Sequence, residues 1–125
     1  MENTKYTKKI IEVLLDVGVP ASLKGYNCLK VAIELVLRDS VYVRDITKRL
    51  YPAIAEECGT TAGRVERAIR HATEVAFNNM EPEQIERYFG HCYNRYKGKV
   101  ANSEFIAILA ERVLVEVGGY DLKAN

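Results

Sequence analysis

No apolar run in this chain of 125 residues approaches the ~20 residues that a membrane span needs. The opening MENTKYTKKI has neither an apolar h-region nor a small-residue cleavage site, which argues against a signal peptide. Cysteine is scarce. Cys28, Cys58 and Cys92 are odd in number, widely spaced and without a CxxC pair, so they read as reduced thiols of a cytoplasmic protein rather than a disulfide framework. With only two histidines beside them, they also lack zinc-ligand spacing, and no cofactor is expected. No Gly-rich phosphate loop is present; Gly18, Gly25 and Gly59 stand apart and read as helix punctuation. There is no internal repeat, low-complexity tract or long linker. Net charge is nearly absent too, at +1, so any nucleic-acid surface has to be local.

What is present is mostly helical. Hydrophobic content of 48% and charged content of 28% suit one globular domain with a real core. Tyr6 to Val17 places Ile10, Ile11, Val13, Leu14 and Val17 at helical spacing, and Gly18 and Pro20 stop that helix. From Tyr26 to Arg38 the apolar stripe is broad (Leu29, Val31, Ala32, Ile33, Leu35, Val36 and Leu37), which predicts a central, well-buried helix. Ser40 to Val43 reads as a brief extended link. Asp45 is placed to cap a helix over Ile46 to Leu50, and Pro52 opens a piece that runs to Cys58 and closes on Gly59. Thr60 and Thr61 are candidate N-caps for a long helix through Asn78. Glu81-Pro82-Glu83 reads as the first turn of a short helix closing near Gly90. Asn102 or Ser103 is placed to cap a last helix over Glu104 to Val117, ended by Gly118-Gly119. The expected fold is all-α, a compact bundle of about six helices containing a helix-turn-helix.

The segment GTTAGRVERAIRHATEVAF carries most of the functional signal. On a wheel of about 100° per residue, Val65, Ala68, Ile69, Ala72, Val75 and Ala76 share one arc. Arg64, Glu66, Arg67, Arg70, His71, Thr73 and Glu74 take the other. The cations therefore line the outward face of one amphipathic helix. The plainest account is a solvated face laced by a Glu66–Arg70 i,i+4 pair. Arginine's forked donors also suit guanine edges and phosphates. IAEECGTTAGRVERA moreover resembles a helix-turn-helix, two helices meeting across a short Gly-containing turn. Ala55 stands four before Gly59, Val65 six after and Ala68 nine after, the small and apolar positions that motif needs. Thr60 departs from the pattern, since an apolar residue is more usual there.

The likeness extends further. YPAIAEECGTTAGRVERAIRHATEVAF, LLDVGVPASLKGY, ITKRLYP and ANSEFIAILAERV, in order over about residues 6 to 115, resemble the effector domain of the sporulation master response regulators of endospore-forming bacteria. The resemblance implies an all-helical domain that binds a short asymmetric box in double-stranded DNA and activates or represses transcription. Two copies that are monomers in solution can assemble on paired boxes. Intact regulators carry an N-terminal phosphoacceptor receiver domain. None is recognisable here, so residues 1–125 are expected to be a single effector domain, with the helix-turn-helix at about 52–78.

By the same resemblance, Arg64, Glu66 and Arg67 reach bases. Glu66 can accept from cytosine N4, with its helix pair to Arg70 as the alternative. Phosphate contacts are expected from the flanks: Arg70 and His71 on the long helix, Ser22 and Lys24 in GVPASLKG, and Lys99, Asn102 and Ser103 before the last helix. Lys97 and Lys99 read equally as a solvated loop. In MEPEQIERYFGHCY the resemblance implies contact with a sigma subunit of RNA polymerase, and Glu83, Glu86, Arg87 and Phe89 are the expected exposed patch. Ile85, Tyr88 and Phe89 could instead all pack on the core.

His91-Cys92 offers no orienting third group, so no enzymatic activity is expected. Tyrosine is frequent, at eight residues, but Tyr6, Tyr26 and Tyr51 fit amphipathic core edges more simply than base stacking. An RNA or single-strand binder would want aromatic platforms beside the cations, and the long helix offers only Phe77, off the basic centre. A helical protein–protein adaptor, using the charged face as a rim, is the remaining alternative.

Overall fold

A computed structural model describes residues 4–90, 92–93 and 98–119. The helices run α1 (Thr4–Asp16), α2 (Lys24–Arg38), α3 (Val41–Arg44), α4 (Tyr51–Cys58), α5 (Ala62–Asn79), α6 (Pro82–Phe89) and α7 (Asn102–Leu114). Single π-helical turns over Ile46–Leu50 and Val115–Gly119 join α3 to α4 and extend α7. Among the described residues there is no strand, and no helix is long and apolar enough to cross a membrane. The all-α expectation holds, with seven α-helices among the described residues.

The broad stripe of α2 does what its width predicts. Leu29, Ala32 and Ile33 are fully buried, and α2 packs on α5, α7, α1 and α4. Its closest approach is to α5. A Cβ on Gly25 would stand 2.2 Å from the Ala68 carbonyl oxygen and 2.7 Å from Ala72 Cβ. Gly25 is therefore not punctuation, as the sequence suggested. It lies inside α2, where only a hydrogen lets two backbones meet. At the other end of α5, Asn79 Nδ2 donates to the Gly18 carbonyl at 2.9 Å and ties α5 to the turn after α1.

The core closes around aromatic rings. Phe89 and Phe105 stack with centroids 5.3 Å apart, and Phe77 meets each of them edge-on, at 5.2 and 5.9 Å. α6 is held from outside as well. Gln84 Nε2 donates to the Asp16 carbonyl at 2.9 Å, Tyr88 donates its hydroxyl to the Asp16 carboxylate, and Arg112 lies 4.5 Å over the Tyr88 ring. Burial, and then Asp16, pushes the Tyr88 hydroxyl up to about 12, so it stays a donor.

Three local expectations need correction. Ser40 to Val43 is not an extended link: Val41–Arg44 is a helical turn, with the Val41 amide donating to the Asp39 carboxylate at 3.0 Å. Of the four residues only Val41 and Val43 are β-branched, and among the described residues there is no strand for an extended segment to pair with. Asp45 accepts the Arg49 and Leu50 amides through its carbonyl, while its carboxylate lies 3.7 Å from Arg49 Nε instead of capping. Neither Asn102 nor Ser103 caps α7; Ala101 holds that position, and Asn102 is already helical.

Candidate nucleic-acid interface

α4 ends where the sequence places its stop. Gly59 adopts φ 67, ψ 41, a left-handed conformation that a side chain would strain, and the Gly59 and Thr60 amides both donate to the Ala55 carbonyl. Of the two candidate caps, Thr61 starts α5, its Oγ1 accepting from the Arg64 amide at 3.3 Å. Val65 is fully buried, Ala55 nearly so, and Ala68 packs half-buried against the core, so the three motif positions hold α4 and α5 together. Thr60 is half-buried beside Arg64 and Val65, which accounts for the polar departure from the motif.

The polar face of α5 is as expected except at Thr73, which is 1% exposed and donates its hydroxyl to the Ile69 carbonyl at 2.8 Å. Arg64, Arg67, Arg70 and His71 are all exposed. Packing divides them into two flanks. On the α2 side, a groove of about 630 Å³ is lined by Lys24, Asn27, Thr60, Arg64 and Arg67, with Cys28 and Cys58 in its wall. On the α7 side, a groove of about 350 Å³ is lined by Glu66, Arg70, Lys99, Asn102 and Ser103. Positions 64, 67 and 71 lie within about 60° of one another on a helix, so these three form the ridge nearest the first groove.

The second flank is internally bonded. Arg70 donates to Glu66 at 2.5 Å, the helix pair the sequence kept as the alternative to base contact. Asn102 Nδ2 donates to the Tyr51 hydroxyl at 3.0 Å and reaches the Glu66 carbonyl at 3.5 Å. Burial raises the Tyr51 pKa, with the Asn102 bond acting in the opposite sense. Lys99 Nζ is 4.0 Å from Glu74. Ser22 and Lys24 are exposed ahead of and at the start of α2. Lys97 and His91 lie outside the described residues. Sequence reading missed Asn27 and Thr60 in the first groove. Asn27 is three residues after Lys24, an exposed polar position on the same side of α2, and that was the available signal.

α6 lies at the far end of α5. Phe77, which meets Phe89, is thirteen residues beyond Arg64, about 20 Å along the axis. Glu83, Glu86 and Arg87 are exposed there. Phe89 is not. It is 0% exposed among the core rings, so its expected place in a surface patch is overturned, and Ile85 and Tyr88 also pack inward. Among the described residues no group of three or more His, Cys, Asp or Glu is placed to hold a metal ion. Compared with known protein families, residues 10–113 match the family model of the sporulation initiation factor Spo0A C terminal.

Proposed function

The chain belongs to the Spo0A C-terminal family of DNA-binding sporulation initiation factors, and from that premise we propose that it reads duplex DNA with α5 in the major groove. One observation carries this reading: Arg64, Arg67 and His71 stand exposed on one ridge of a helix that is capped by Thr61 and pinned behind the turn at Gly59. A rigid helix N-terminus bearing forked donors suits base edges, and Arg64 and Arg67 are assigned as the base readers. Glu66 reads a base only by releasing Arg70; while the pair holds, it orients Arg70 toward the flank. Arg70, His71, Ser22, Lys24, Lys99, Asn102 and Ser103 supply phosphate contacts, with Asn102 also bonded to Tyr51 and so the most constrained of them. Selection of bound sites from random duplex DNA, with single-stranded competitor present, tests the reading. Arg67→Ala should cost about 1–3 kcal/mol on the selected site and relax preference at one position. Equal weakening on every sequence removes Arg67 as a base reader.

Phosphate contacts are separable by salt. Lys24→Ala and Lys99→Ala should each lower the slope of log K against log salt by about one, and an unchanged slope removes that residue from the set.

The exposed Glu83, Glu86 and Arg87 on α6 form the surface for a sigma subunit of RNA polymerase. α6 meets α5 at Phe77, about 20 Å along that helix from Arg64, which supports a surface clear of the DNA-facing end. Glu86→Ala and Arg87→Ala should leave DNA affinity and repression intact while activation falls in a reconstituted transcription assay. Proportional loss of DNA binding would make α6 a support for α5 only.

A further inference from the structure

Two thiols remain in the wall of the first groove with no part in reading DNA. Cys28 is on α2 and 7% exposed; Cys58 is the last residue of α4 and half-buried. Both line the groove with Lys24, Asn27, Thr60, Arg64 and Arg67. Asn27 Nδ2 donates to Cys58 Sγ at 3.6 Å, which places that sulfur against the residue next to Cys28 in sequence. Burial, followed by the nearby Cys58, pushes the Cys28 thiol up to about 11. Neither sulfur is in a disulfide.

We propose that Cys28 and Cys58 are an oxidisable pair whose closure to an intramolecular disulfide links α2 to the end of α4 and lowers affinity for DNA. Cys58 is the more open thiol and receives a hydrogen bond from Asn27, so it reacts first. Its thiolate attacks one oxygen of hydrogen peroxide, the O–O bond breaks, and hydroxide leaves and is protonated, giving a sulfenic acid on Cys58. The Cys28 sulfur then attacks the Cys58 sulfur, releases its proton, and the S–O bond breaks to give water. Two thiols and one peroxide become one disulfide and two waters.

Closure draws the two sulfurs in the groove wall together to about 2.05 Å. The chain just after Cys58 has to follow, and it consists of Gly59, Thr60 and the cap Thr61. The start of α5, with Arg64, shifts with it. The pair is thus built into the turn that sets the reading helix.

The effect on affinity rests on the DNA-binding reading above; the bond itself does not. The test treats the full chain with hydrogen peroxide and reads intact mass, peptide maps and duplex binding by fluorescence anisotropy. The expected results are loss of the mass of two hydrogens, a cross-linked peptide joining Cys28 to Cys58, and affinity lower by about tenfold, the cost of one displaced base contact, restored by dithiothreitol. Cys92→Ser should behave the same way. Cys28→Ala and Cys58→Ala should each bind with an affinity that peroxide leaves unchanged. No cross-link, a cross-link through Cys92, or equal affinity in the two redox states overturns the proposal. A reduced chain that binds no duplex overturns the DNA reading and the coupling to it, while the mass readout still decides the disulfide.

Discussion

Phe89→Ala should destabilise the domain by about 3–5 kcal/mol, a large share of the ~5–15 kcal/mol that holds a domain of this size together. The ring is 0% exposed and touches Phe77, Phe105 and Tyr88, which come from α5, α7 and α6 itself. Removing it leaves a void between three elements that cannot all collapse inward, so transfer and cavity costs add. A fall in melting temperature of roughly 10–20 °C is expected, measured by circular dichroism. DNA binding and activation should be lost together, in step with the unfolded fraction. Glu86→Ala and Arg87→Ala, at exposed positions on the same helix, should shift stability by no more than about 0.5 kcal/mol. A Phe89→Ala chain with wild-type stability and a selective loss of activation would return Phe89 to the partner surface.

Gly25→Ala has its largest effect on a helix that the substituted residue does not belong to. The added methyl would meet the Ala68 carbonyl oxygen at 2.2 Å and Ala72 Cβ at 2.7 Å. Neither is the far end of a flexible side chain, so α2 and α5 have to separate. Overpacking of this kind costs about 1–3 kcal/mol, and more where backbone is the obstacle. Because α5 carries Arg64 and Arg67, the folded fraction should also bind its DNA site more weakly than the parent, at temperatures where both are fully folded. Denaturant midpoints and anisotropy titrations separate the two losses. Adding Ala72→Gly should recover only part of the stability, since it removes the Cβ contact and leaves the carbonyl clash. Unchanged stability and affinity for Gly25→Ala would mean that the close approach of α2 to α5 sets neither.

The helix-turn-helix was legible because each of its parts is local. A left-handed glycine, a threonine cap three residues before Arg64 and an apolar arc at helical spacing depend on the chain within a few residues of themselves. The same holds for the outward position of Arg64, Arg67, Arg70 and His71. Sequence periodicity says which residues share a face, but not which neighbour covers that face. Thr73 lies on the polar arc of α5 and is nevertheless buried beside Tyr51 and Val100, which come from distant parts of the chain. Phe89 could be counted as core or as partner surface until Phe77 and Phe105 were seen around it. Gly25 looked like punctuation because nothing in its own helix needs a glycine; the need comes from Ala68 and Ala72. Cys28 and Cys58 likewise come to line one groove only once α2 and α4 pack. Local sequence was enough for the long helices, for the stop at Gly59 and for the outward face of Arg64, Arg67, Arg70 and His71, since backbone sterics and hydrogen bonding act over a turn or two, whereas the caps expected at Asp45 and at Asn102 or Ser103 did not form. Long-range packing set how the basic face of α5 divides into two flanks and which of its polar side chains stay in solvent, because those depend on contacts between residues far apart along the chain.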